Sequence, residues 1–284
     1  MKNWRQIFDN KVQGLVDYIE EYDLQALVLG VSGGIDSTLT AAIASEACKK
    51  AGIKLIGRSL PTSTNESPER EAAILVGEAF CDDFREIRIE ELVDQTQYFI
   101  EDFEDMSLGF IPIGNIKARL RMIYLYNLAF MHKGVVLDTD NLTEHYMGFF
   151  TIHGDQGDLG VLGDLWKTEV FEFGKWMVDE YSILDALEGD SKGLEKSKAI
   201  KASLALNPTD GNGTAPDLEQ YGAPSFEIVD KILQALVFNK EIPENKYVEP
   251  IKQRFLKSKF KRWHGPLIVN SAGGITDAEG EVVL

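Results

Sequence analysis

Hydrophobic and polar positions along the chain alternate between two periods. Short runs rich in Val, Leu and Ile read as buried strands: "ALVLGV" (Ala26–Val31), "KLIGRSL" (Lys54–Leu60), "FREIRI" (Phe84–Ile89) and "GVVLDT" (Gly134–Thr139). Between them, apolar residues recur at helical spacing over Ser37–Ala51, Ser67–Phe80 and Asn115–Lys133. Residues 1–24 pattern as an amphipathic helix rather than a signal peptide. This alternation predicts an α/β fold, a mainly parallel Rossmann-like sheet with helices on both faces. Crossovers should be right-handed, and ligands should lie at the carboxyl ends of the strands.

After the fourth strand the pattern loosens. From His145 to Trp166, glycines and aspartates predict an ordered loop at the sheet's edge, followed by a helix over Lys167–Tyr181. The stretch Leu204–Pro224 is dense in Pro and Gly and is expected to be mobile until a ligand orders it. A helix over Ser225–Val237 and a basic run, Lys252–Pro266, come next. The tail Leu267–Leu284 reads as a small hairpin.

Composition narrows the classes. The net charge of −17 argues against general nucleic-acid binding, which needs a cationic footprint. No apolar run approaches the ~20 residues that cross a bilayer. Cys48 and Cys81 lack metal-ligand spacing and suit free thiols in a reducing, cytoplasmic compartment. An anionic ligand would need local cations or a metal against this charge.

One stretch supplies chemistry. In "ALVLGVSGGIDSTLT" a strand ends on a glycine pair and a helix begins at once. Strand, glycine turn and helix N-terminus together make an anion site. The G-x-x-x-x-G-K-[ST] and G-x-G-x-x-G patterns are both absent, so neither familiar phosphate fingerprint applies. Backbone N–H groups and the hydroxyls of Ser32 and Ser37 can hold a pyrophosphate. Asp36 repels anions, so its task would be to hold Mg²⁺ against them.

"SGGIDS" resembles the pyrophosphate loop of the ATP pyrophosphatases. Further blocks resemble the ammonia-dependent NAD⁺ synthetases, and in their order: Gly114–Ala129, Leu137–Asp155, Asp164–Met177, Asn207–Asp230 and Ser258–Pro266. The resemblance implies an adenine nucleotide α-hydrolase-like fold over residues 1–266, with 267–284 a tail of no assigned role. It implies ATP, deamido-NAD⁺ and ammonia as substrates, Mg²⁺ as cofactor, and a homodimer. Free ammonia, or ammonia from a separate partner, is the expected nitrogen source, since no glutaminase domain is recognisable.

By the same resemblance, Gly30, Val31, Ser32, Gly33, Gly34, Ile35, Asp36, Ser37, Thr139, Lys167 and Thr209 would contact ATP. Asp36 and Glu144 would bind the metal, with Asp36, Asp155, Lys167 and Thr209 catalytic. Asn115, Arg119, His153, Asp158 and Lys261 would contact deamido-NAD⁺. Lys117, Arg119, Arg121, Lys167, Lys261 and Arg262 are the cations available to offset the phosphates. The chain departs from the family pattern at Ser59, Asp138, Ile152 and Phe260. Two rivals stay open: an ATP pyrophosphatase that adenylates another acceptor, and a nucleotide-binding sensor without catalysis.

Overall fold

The computed structural model describes residues 2–100, 111–188, 191–211, 215–262, 268–269 and 275–276. Five strands form one parallel sheet in the order β3-β2-β1-β4-β5. They are β1 (Ala26–Gly30), β2 (Lys54–Ser59), β3 (Asp83–Glu86), β4 (Gly134–Asp138) and β5 (Leu159–Gly160). Their order reverses between β1 and β4, the place where doubly wound sheets open a ligand crevice. The α/β class expected from the sequence is the one observed.

Helices cover both faces. On one lie α1 (Trp4–Glu21), α2 (Ile35–Ala51), α3 (Ser67–Phe80), α7 (Lys167–Glu188) and α8 (Ser191–Leu204). Their core joins Leu27, Leu29, Leu39, Ile43, Phe173 and Ile200. On the other, α4 (Glu90–Phe99) and α5 (Ile111–Met131) bury Val93, Met122 and Leu125 against Val28 and Val136. A third core, around Met147, Trp166, Phe226, Val229 and Ile251, packs the remaining helices behind the site. These are α6 (Leu142–Met147), α9 (Asp217–Tyr221), α10 (Phe226–Val237) and α11 (Val248–Lys257). Among the described residues no helix is long and apolar enough to cross a membrane.

Several elements exceed the expectation. The edge loop after β4 contains α6 and β5, and α9 lies inside the stretch expected to be mobile. α4, α8 and α11 have no counterpart in the predicted elements. The tail pairs as a hairpin between β6 (Ile268–Val269) and β7 (Ile275–Thr276).

Candidate active site

A cavity of about 270 Å³ opens at the carboxyl ends of β1 and β4. Gly30–Ser32, Gly34–Ser37, Thr139, Lys167 and Thr209 line it. Gly33 turns the chain at φ +89° and faces away from the cavity. A Cβ there would lie 2.2 Å from the Glu69 carbonyl oxygen, so only glycine lets α3 come this close. Behind the turn, the Ser37 hydroxyl donates to the Gly34 carbonyl (3.0 Å) and accepts from Ser32 N–H (3.3 Å). α2 begins at Ile35, and the first N–H groups of a helix have no partner within it. A glycine turn at a helix start of this kind can cradle an anion.

On the cavity floor the charges converge. Lys167 Nζ donates to Asp36 Oδ2 (2.5 Å) and Glu144 Oε1 (2.9 Å), and its side chain is 3% exposed. Asn141 Nδ2 donates to the other oxygen of Asp36 (2.8 Å). Local sequence explains the convergence. "NLTE" is a capping box: Asn141 Oδ1 accepts from Glu144 N–H (3.0 Å) and Glu144 Oε2 accepts from Asn141 N–H (3.1 Å). One Glu144 oxygen therefore starts α6 while the other meets Lys167. Asp230 fixes the start of α7, accepting from the Thr143 and Thr168 hydroxyls (2.5 and 2.7 Å).

Acids outnumber bases here. Burial pushes Glu144 up to about 7, with Asp36 adding to the shift and Lys167 opposing it. Burial likewise pushes Asp217 up to about 6, and holds Asp140 well above the usual carboxylate range, reinforced by Asp138. Burial alone would strip the proton from Lys167, but Asp36 and Glu144 outweigh it and raise its pKa. Such a floor has room for further positive charge.

Arg121 enters the cavity wall, where its Nε donates to the Leu60 carbonyl (3.1 Å). Lys117 is buried and donates to Thr64 Oγ1 (2.9 Å). The Thr209 hydroxyl donates to Glu69 Oε1 (2.7 Å), which straps the segment before α9 across the opening. Neither free cysteine is a nucleophile: burial pushes both thiols up to about 12.

Comparison with known proteins bears on this geometry. The NAD synthase family profile matches residues 7–264. An NH₃-dependent NAD⁺ synthetase of Methanococcoides burtonii is 34% identical over 228 residues, 78% of either chain. That of Pyrococcus furiosus is 35% identical over 201 residues, covering 70% of this chain and 74% of its own. The chain belongs to the NAD synthase family. Among solved structures, an NMN synthetase of Francisella tularensis superposes with a TM-score of 0.76 at 26% identity, covering 94% of this chain and 98% of that one. The NH₃-dependent NAD synthetase of Campylobacter jejuni shares the fold, with a TM-score of 0.71 at 23% identity, over 94% of this chain and all of its own.

The residues expected at deamido-NAD⁺ are not among those that line this cavity. Arg119 is exposed and donates to the Ile152 carbonyl (3.3 Å), and His153 is exposed at φ +61°. Asn115 Oδ1 accepts from the Thr151 hydroxyl (2.8 Å). Asp158 accepts from the Tyr126 hydroxyl (3.0 Å) and Val136 N–H (2.9 Å), at the sheet edge. Lys261 Nζ donates to the carbonyls of Gly148 (2.9 Å) and Phe150 (2.5 Å). His153 and Asp158 belong to the loop at 148–158 and Asn115, Arg119 and Lys261 contact it, while its Phe149, Gly154 and Asp155 reach the cavity.

The departures also find places. Ser59 is buried in β2, and Arg58 beside it lines the cavity while paired with Asp83 (2.9 Å). Asp138 Oδ1 accepts from Asp140 N–H (2.7 Å), which shapes the turn after β4. Phe260 points to solvent, 61% exposed. Sequence reasoning missed Asn141 and Asp217. The N-x-x-E spacing could have found Asn141, whereas Asp217 sits in a Pro/Gly-rich stretch with no local signal.

Proposed function

We propose that this chain amidates deamido-NAD⁺ with ammonia, driven by ATP, to give NAD⁺, AMP and pyrophosphate. The observation that carries this reading is the meeting of Asp36, Glu144 and Lys167 beneath the glycine loop, in a chain of the NAD synthase family.

A nicotinate carboxylate is a poor acyl donor, because its oxygen would leave as a dianion. Its attack on the α-phosphorus of ATP breaks the bond to pyrophosphate and forms an acyl-adenylate. Ammonia then bonds to the acyl carbon, the C–O bond breaks and AMP leaves. The loop Gly30–Ser37 receives the pyrophosphate, and Thr139 contacts the nucleotide. Lys167 and Thr209 stabilise charge at the α-phosphate. Asp155 takes the proton lost by the attacking nitrogen.

Asp36 and Glu144 fit Mg²⁺: both are hard oxygen donors, both reach one Lys167 nitrogen, and one or two carboxylates plus phosphates is its usual setting. When bound, the ion would neutralise phosphate charge that the acidic floor otherwise repels.

Deamido-NAD⁺ would lie along Asn115, Arg119, His153, Asp158 and Lys261, beside the apolar face of α5. Ile123, Tyr126 and Phe130 are 64%, 40% and 86% exposed there, and Tyr126 touches Asp158. Large exposed apolar residues at helical spacing suit a second copy of the chain, hence a homodimer that completes this side. The enzyme would work in the cytoplasm.

A second acceptor is the mononucleotide half of the same substrate. The likeness to the Francisella NMN synthetase, and Ile152 where a lysine would meet the dinucleotide, favour including it. Purified protein is incubated with ATP, magnesium chloride, ammonium chloride and either acceptor. The reading expects equal amounts of amide product and AMP, with the dinucleotide turned over more efficiently. ADP instead of AMP, or no product, would contradict it. Faster turnover of the mononucleotide would reassign the acceptor.

A further inference from the structure

Asp217 opens α9 on the cavity wall, and the chemistry above leaves it without a task. It is 3% exposed, and its Oδ1 has no hydrogen-bond partner. It lines the same cavity as Asp36, Glu144 and Lys167. One helical turn on, Tyr221 is also 3% exposed, and its hydroxyl also lacks a partner. Residues four apart share a helix face. Buried polar atoms in native proteins are nearly always paired. Asp217 itself lines the cavity, and the Tyr221 ring packs edge-on against Phe149, which lines it too, so the unpaired carboxylate oxygen is the one that can meet a ligand directly.

Their chemistry selects the ligand. Asp217 feels Lys167 and Arg254 as well as Asp36 and Asp210, and its unpaired carboxylate oxygen accepts hydrogen bonds, which suits a small cation with N–H donors better than a phosphate. Asp36 and Glu144 already form the pair suited to a divalent ion. Ammonium carries four N–H donors and no acceptor, and it is the component of the reaction that fits. Asp217 N–H also donates to the Pro208 carbonyl (3.1 Å), tying it to the strap that carries Thr209. A cation docked here lies in the same cavity as the groups assigned to the α-phosphate.

We propose that Asp217, with Tyr221 beside it, is the docking point of the ammonium ion that supplies the amide nitrogen. This rests on the amidation reading above. Docking adds one proton to the balance of that step: ammonium first gives a proton to Asp155 and becomes ammonia, the C–N bond forms, the C–O bond to AMP breaks, and the second proton lost by the nitrogen leaves with the AMP phosphate or to water.

Asp217→Asn keeps the shape and removes the charge. The KM for ammonium chloride should rise about ten-fold or more, since a hydrogen bond to a charged group is lost. The KM for ATP and for deamido-NAD⁺ should stay at the parent values. Hydroxylamine, uncharged near neutral pH, should be used as well as by the parent enzyme. Exchange of labelled pyrophosphate into ATP, dependent on deamido-NAD⁺ and needing no ammonium, should be unaffected. Tyr221→Phe should raise the ammonium KM about three-fold, and carries the test if the first variant fails to fold.

An unchanged ammonium KM in the folded variants would overturn the proposal. So would a loss of pyrophosphate exchange, or a raised magnesium requirement, in Asp217→Asn, either of which assigns Asp217 to ATP or the metal. An active parent enzyme with a flat ammonium KM in the variants would sink only this docking site. A parent that makes no NAD⁺ at all would sink the amidation reading as well.

Discussion

The phosphate side of the cavity and the loop at 148–158 hold their polar side chains in different ways. On the cavity floor, the proposed phosphate side, Lys167 sits on two carboxylates, Asn141 on Asp36, and Glu144 on its own helix start. Around the loop, Arg119 meets the Ile152 carbonyl, Lys261 meets two carbonyls and the Phe150 ring, and His153 stands exposed. Charge-assisted bonds in a buried setting hold a geometry before any ligand arrives. A carbonyl contact at the surface is exchanged for a ligand at little cost. One side is preorganised; on the proposed reading the substrate or a second copy finishes the other.

That contrast can be broken by experiment. Asp36→Ala removes the partner of both Lys167 and Asn141, so AMP formation should fall by ~10³-fold or more. Dinucleotide binding, followed by calorimetry, should hardly change. Asn141→Ala leaves every proposed ligand-contacting residue in place but frees Asp36 to turn. Loss of such a supporting contact predicts a roughly 10–100-fold drop in kcat, together with a lower Tm from the weakened cap. Arg119→Ala should raise the KM for deamido-NAD⁺ by about ten-fold, one lost charged contact, and leave that for ATP alone. If both rose together, the two sides would not be separable.

A further effect, outside catalysis, is on stability. Asp217 keeps its proton to higher pH when folded, since its pKa rises from 3.8 to about 6. Its contribution is complete below the unfolded value and is lost as the pH passes through about 6. Asp217→Asn removes that loss. Thermal melts should show the variant above the parent at pH 8, by ~3 kcal/mol at most, the gap closing below pH 4. A gap independent of pH would mean that Asp217 titrates alike in the folded and unfolded chain, with no burial shift.

Legibility in the sequence follows a similar divide. β1, α2, β2, α3 and β4 lie within two residues of expectation because each carries an undiluted period between glycine or proline stops. α8 escaped because it packs by small residues: Ser197, Ala199 and Ser203 are buried where an apolar stripe would be sought. α6 is six residues long, too short for any period. Asp36 was legible because its loop is local in sequence. Glu144 and Lys167 came through family resemblance, since nothing within "LTEH" or "LWKT" says they will meet 23 residues apart. Asp217 was illegible, because its burial depends on neighbours from distant parts of the chain.

The most direct test follows the exchange of labelled pyrophosphate into ATP, with ammonia left out. The account predicts exchange by the parent enzyme only when deamido-NAD⁺ and magnesium are present, and none by Asp36→Asn. Exchange without the dinucleotide, or exchange that survives the loss of the Asp36 charge, would contradict it.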